Sequence, residues 1–154
     1  MAKFQSTKLF DGFSCVFRQW KAETTHCRFL HGYGVSFRIW FEGELDERNW
    51  VWDFGGMKRA NGKIDGKSPK EWMDYMFDHT LIVAEDDPYL EGFKAMDTHG
   101  LTQTRVIPST GAESFAKFIY DKINPFILEE TKNRVRIIKV EFQEHSKNSA
   151  IYSE

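Results

Sequence analysis

Three short stretches of the chain hold residue types that could do chemistry. The first is Thr25-His26-Cys27-Arg28-Phe29-Leu30-His31-Gly32-Tyr33, with one of the two cysteines and two of the five histidines. A thiol acts as nucleophile or base only as thiolate, which needs a nearby cation, imidazole or helix end. Cys27 and His31 are four positions apart and could meet only across a turn, and a buried Cys beside a capping His has the same spacing. The second stretch is Asp78-His79, where a carboxylate can fix an imidazole's tautomer and raise its basicity. A solvated helix end reads identically. The third is Glu144-His145, at the end of an apolar alternation. A carboxylate projecting there could take a bidentate hydrogen bond from a heterocycle with adjacent N–H donors. An exposed strand end is the plain alternative.

Metal chemistry finds little support in the spacing. His26 and His31 flank Cys27, while His99 and His145 have no histidine or cysteine nearby in sequence. There is no CxxC, HxH or HExxH, and a catalytic zinc site wants three N, S or O ligands. No glycine-rich phosphate loop occurs. Arg18, Arg28, Lys58 and Arg59 form no aromatic-interleaved basic stripe, so nucleic acid is not an expected partner.

The elements that must position these residues follow from periodicity. Residues 3–18 read as extended, with Asp11-Gly12 as a turn or bulge. Residues 19–34 read as a loop. In 35–44, Val35, Phe37, Ile39 and Phe41 alternate with Ser36, Arg38, Trp40 and Glu42, the period of a half-buried strand. Trp50–Phe54 reads as its return strand and 58–67 as a loop. Ser68-Pro69-Lys70-Glu71 starts a helix, with Ser68 capping, Pro69 in the first turn and Glu71 completing a capping box. That helix stops near Asp78-His79, and Asp86-Asp87-Pro88 forces irregular chain. Leu101 to Ile107 alternates as a strand. A second helix starts at Gly111, with Phe115, Ile119, Lys122 and Ile123 as its inner stripe, and Pro125 marks its kink or end. Arg134 to Phe142 is a Val/Ile-rich strand, and Ala150-Ile151-Tyr152 supplies a hairpin partner. Helices set between hairpin-like pairs predict an α+β fold, with the helices on one face of an antiparallel sheet.

At 154 residues the chain suits a single domain spanning 1–154. Hydrophobic residues at 41% and charged residues at 29% give a globular balance, and 14 Phe point to a sheet-rich core or a large interface. A formal charge of −2 gives no electrostatic case for nucleic acid or acidic membranes. Without an apolar run at the N-terminus or a run of membrane-spanning length, the expectation is a soluble cytoplasmic protein with free thiols.

Set in order, six segments resemble the 6-pyruvoyl tetrahydropterin and 6-carboxytetrahydropterin synthases. That family shows F-x-A-A-H-R, C-x-x-x-H-G-H, G-x-V-x-D-F, Asp-His, T-x-E-N and V-x-V-x-E-T. Here Phe13-Ser14-Cys15-Val16-Phe17-Arg18 falls at the first and Cys27-Arg28-Phe29-Leu30-His31-Gly32 at the second. Val51-Trp52-Asp53-Phe54, Asp78-His79, Thr110-Gly111-Ala112-Glu113 and Val140-Glu141-Phe142-Gln143-Glu144 follow. The resemblance implies the tunnelling fold (T-fold), a four-stranded antiparallel sheet with two helices on one face. It also implies assembly as a homo-oligomer, a hexamer in the family, with active sites at subunit interfaces. It implies a pterin-like small molecule as partner, with dihydroneopterin triphosphate as substrate, carbon–oxygen lyase chemistry, and a place in queuosine or tetrahydrobiopterin biosynthesis. By the family's roles Cys27 is the general base, Asp78 and His79 are its relay, Glu144 anchors the pterin, and Glu113 and Thr110 line the pocket.

The departures fall at the metal. The family's three zinc ligands align with Phe17, His31 and Tyr33, so one imidazole remains. Phe cannot coordinate, and losing a Lewis acid costs several kcal/mol of transition-state stabilisation. The expectation is therefore no resident cofactor. Three readings stay open. The chain is a metal-free lyase in which Tyr33 or His26 replaces the electrophile, or a non-catalytic pterin- or purine-binding paralogue, or a protein with a regrouped metal set of His26, Cys27 and His31. Retention of the Cys, Asp and His set favours the first.

Overall fold

The computed structural model describes residues 2–154. Its centre is a long antiparallel pair, β1 (Phe4–Phe17) and β2 (His31–Gly43), in register from Phe4↔Gly43 to Phe17↔His31. One shift interrupts the register between Phe10 and Phe13, where Gly12 sits at φ +85°, so the Asp11-Gly12 bulge falls where the sequence places it. The bulge has a consequence for the side chains. It puts Phe10, Phe13, Cys15 and Phe17 on the same buried face despite their irregular spacing. A second antiparallel pair, β5 (Val135–His145) and β6 (Asn148–Ser153), extends the sheet beyond β2.

The sheet departs from the four antiparallel strands expected. It has six, in the order β4-β3-β1-β2-β5-β6, and it is mixed. β3 (Thr80–Ala84) runs parallel to β1 through Cys15↔Thr80 to Phe17↔Ile82, and β4 (Thr104–Ile107) runs parallel to β3. Parallel neighbours need crossovers. One passes through α2 (Pro69–Phe77), and the other is α3 (Leu90–Thr98). With the short α1 (Gly56–Arg59) and the long α4 (Ala112–Glu130) there are four α-helices among the described residues rather than two.

Trp50–Phe54 is not a return strand. The Asp46 carboxylate accepts from the Arg48 and Trp50 amides and Asp53 from the Gly55 amide, which folds the segment into turns leading to α1. Val51 and Trp52 still go inside, with Trp52 packed 5.5 Å from Phe41, while Trp50 is exposed. Pro125 does not end α4, which runs five residues further to Glu130. Pro125 is exposed, so the carbonyl it leaves unpaired faces solvent. The predicted cap at Ser68 is present, its Oγ accepting from the Glu71 amide at 3.2 Å.

Helices α2 and α4 cover one face of the sheet. Phe77 packs on Phe37 and Phe142, Phe115 packs on Phe17 and Phe142, and Trp72 meets Phe118 between the helices. The opposite face of β2 carries Ser36, Arg38, Trp40 and Glu42, all half-buried. Its charges are matched across strands: Arg38 donates to Thr7, Arg136 pairs with Glu42, and the Lys139 ammonium lies 5.0 Å from the Trp40 ring.

Candidate active site

Period-2 geometry assembles the site. His31 and Tyr33 are two apart on β2 and share a face. Phe17 is the partner of His31 across the β1–β2 ladder. Their rings meet in sequence, tilted or edge to face: Phe17 to His31 at 4.9 Å, His31 to Tyr33 at 5.1 Å, and Tyr33 to His145 of β5 at 5.3 Å. Phe115, in the first turn of α4, seals Phe17 edge-on at 4.9 Å. The same packing sets the start of α4 beside the end of β1, while Glu113 lines a hollow with Ser109, Lys117, Phe118 and Tyr152.

The imidazole of His31 has a defined tautomer. Nδ1 lies 2.7 Å from the Phe29 carbonyl, which can only accept, so Nδ1 carries the proton and Nε2 keeps a free lone pair in the neutral ring. Burial holds the Tyr33 phenol protonated above its ordinary range, with the negative charges of Glu144 and Cys27 acting in the same direction. The Cys15 thiol is pushed up to about 12, mainly by burial and further by Glu144. Glu144 is thus close enough for its charge to act on both the Tyr33 phenol and the buried Cys15.

Cys27 is exposed in a single 3₁₀ turn, His26–Arg28, capped by the Thr25 hydroxyl, which accepts from the Cys27 amide at 3.2 Å. Asp78 and His79 lie on the other side of β1. His79 takes a left-handed conformation, φ +57°, which turns its amide onto the Ser14 carbonyl at 2.5 Å. Asp78 Oδ1 accepts from the Ser14 amide and lies 3.1 Å from His79 Nδ1. The Asp–His pairing is therefore present. Among the described residues, no hydrogen bond joins either to Cys27. Thr110 Oγ1 donates to the Arg18 carbonyl at 2.6 Å, and the Thr110 carbonyl accepts from Gln19 Nε2.

The positions aligned with the family's metal ligands converge, but their chemistry does not fit zinc. They offer one imidazole, one phenol and one fully buried phenyl ring. The regrouped set fares no better. His26 turns toward Phe29 at 6.4 Å, and no group of three His, Cys, Asp or Glu side chains among the described residues is placed to hold a metal ion.

Sequence reasoning did not single out the contacts that hold the Cys27 loop. Asp86 and Asp87, read only as irregular chain, receive Trp20 Nε1 at 3.0 Å and the Arg18 guanidinium in a two-bond fork at 2.8 and 2.7 Å. Adjacent carboxylates before a proline were the available signal.

A mixed sheet backed by helices, with Cys, His, Tyr and Glu gathered at one end, defines a T-fold protein of the tetrahydropterin synthase type. The model of the 6-pyruvoyl tetrahydropterin synthase family matches residues 7–154, and the chain belongs to that family. It is 27% identical to a Pyrococcus abyssi protein named "Putative 6-carboxy-5,6,7,8-tetrahydropterin synthase", over 94% of this chain and 85% of that one. Among solved structures, an uncharacterized protein from Wolinella succinogenes superposes with a TM-score of 0.79 at 21% identity, covering 100% of this chain and 99% of that one. The 6-pyruvoyl tetrahydropterin synthase of Caenorhabditis elegans does so at 0.65 and 19%, covering 100% and 97%. That of Plasmodium vivax gives 0.64 and 16%, covering 98% of each chain. These likenesses are to the fold.

Proposed function

We propose that the chain is a pterin-binding carbon–oxygen lyase acting on dihydroneopterin triphosphate or a close relative, without resident zinc. The observation that carries this reading is the convergence of His31, Tyr33 and Glu144 at one end of the sheet beside the Cys27 turn. Glu144 would anchor the heterocycle through paired N–H donors, with Thr110 and Glu113 lining the pocket. Cys27 would be the proton-transfer base, and His31 Nε2 and the Tyr33 hydroxyl would meet oxygens of the substrate side chain. Of the two candidates to replace the lost electrophile, Tyr33 has the better placement, since His26 faces away toward Phe29.

Asp78 and His79 would complete the relay from a neighbouring copy, because within one chain they are bonded to β1. Open sheet edges support such an assembly. β3 pairs with β1 only at residues 15–17, leaving the first part of β1 with one neighbour, and β6 likewise has one. A homohexamer is the assembly this reading expects.

The test is incubation of the purified protein with dihydroneopterin triphosphate, followed by chromatography. Turnover that disappears in Cys27→Ala, with pterin affinity kept, supports the lyase. Tight pterin binding lost in Glu144→Gln, with no turnover in the wild type, would instead establish a binding protein.

A further inference from the structure

The loop that carries Cys27 is held by partners almost seventy residues away. Arg18 follows β1 and Asp87 lies just beyond β3, and because these strands are parallel their ends fall side by side. Arg18 Nε and Nη2 grip both oxygens of Asp87 at 2.8 and 2.7 Å. The Asp87 side chain is 1% exposed. Burial opposes its ionisation, yet the Arg18 fork and the Tyr89 amide, which donates to Oδ1 at 2.9 Å, hold the carboxyl below its ordinary range. The guanidinium sits 5.6 Å from the ring centres of both Tyr89 and Phe93. Its remaining arm, Nη1, donates to the carbonyl of Arg28, the residue after Cys27. Two residues on, Trp20 Nε1 donates to Asp86, and the Gln19 amide donates to the Cys27 carbonyl at 2.8 Å.

We infer that Arg18 and Trp20, docked on Asp87 and Asp86, form a clasp that fixes where the Cys27 thiol points. Arg18 is thereby a positioning residue for the proton-transfer step, and this role rests on the lyase reading of Cys27. Three features make it more than a generic ion pair. The fork spends two donors on Asp87 and still leaves one for the Cys27 turn, which a lysine cannot do. The turn itself has no buried residue, so the core does not hold it in place. β3, buried along its whole length, carries Asp86–Asp87 at one end and follows Asp78–His79 at the other. The clasp therefore ties the Cys27 loop to the same rigid strand that seats the Asp–His pair.

The experiment compares wild type with Arg18→Lys, and with Trp20→Phe as a second, milder variant. Amide hydrogen exchange is read at Gln19 and Phe29, whose N–H groups bond within the loop, and at core strand β2. Steady-state kinetics are measured alongside. Arg18→Lys should raise exchange at Gln19 and Phe29 at least tenfold with β2 unchanged. It should lower kcat at least tenfold while KM moves less than twofold, because pterin contacts are kept and only the base is displaced. Loop exchange unchanged in both variants would overturn the clasp. Faster exchange with unaltered kcat in an active enzyme would overturn the positioning role. A wild type without turnover would sink the lyase reading, and the exchange arm would still decide the clasp.

Discussion

Cys15 and Cys27 are twelve positions apart and live under opposite conditions. Cys15 faces the core on β1, and Cys27 is exposed on its turn. Iodoacetamide at pH 8 should therefore add one group per native chain, on Cys27, and a second only after unfolding. Two adducts on native protein, read by mass spectrometry, would contradict the structure. Cys15 also sets an alkaline limit. Its folded pKa, about 12, lies above the ordinary 9.0, so the unfolded chain gives up this proton first. The stability this provides is intact below pH 9 and is lost as pH rises toward 12, on the order of 4 kcal/mol in full. Denaturant titrations from pH 8 to 11 should show that fall, and Cys15→Ala should flatten it. The row of rings gives a third test. Phe17 and Tyr33 flank His31 at 4.9 and 5.1 Å, so the double variant F17H/Y33H should place three imidazoles together. It should bind close to one zinc per chain where the wild type holds well below one. Metal analysis after dialysis checks both.

At the scale of elements, the long amphipathic pieces were readable and the short ones were not. β1, β2, β5, α2 and α4 each carry a period, a cap or a bulge residue that states its role locally. β3 escaped because five consecutive buried residues have no alternation, and Asp78-His79 in front of it reads as a helix end. α3 escaped because it buries no residue fully and holds Gly92 in its first turn. Trp50–Phe54 misled because aromatic alternation also serves a turn whose Trp52 and Phe54 rings dock on Phe41. The site divides in the same way. Phe17 lies in a segment read as extended, and Glu144 two residues past the strand read as far as Phe142. His31 and Tyr33 fall in 19–34, read as a loop because Gly32 and Gly34 dilute the alternation, although β2 starts at His31. The Arg18–Asp87 clasp depends on a parallel pairing that no local pattern announces. The cap at Ser68 gives a quantitative test of α2, the helix that leads into Asp78-His79. Ser68→Ala should cost about 1 kcal/mol and lower Tm by about 2–4 °C, measured by calorimetry.

For the whole molecule, the outer strands β4 and β6 and the half-paired β1 leave open edges that suit the assembly proposed above. Light scattering at micromolar concentration should report a multiple of 18.1 kDa, and a monomer would remove the relay proposed from a second copy. The β2–β5 pairing has a different kind of consequence. It joins Ser36 to Gln143, so the centre of the sheet cannot close until nearly the whole chain is available. A ribosome moving at roughly 5–20 residues per second takes about 5–20 s to make the stretch between them. For most of that interval the β1–β2 hairpin presents Phe10, Phe13, Phe37 and Phe41 without α4, and for all of it without β5 complete. Newborn chains should depend on chaperones that shield aromatic surface. Ribosome-stalled chains ending before β5 should be found bound to such holdases, while chains extended past β6 should be released.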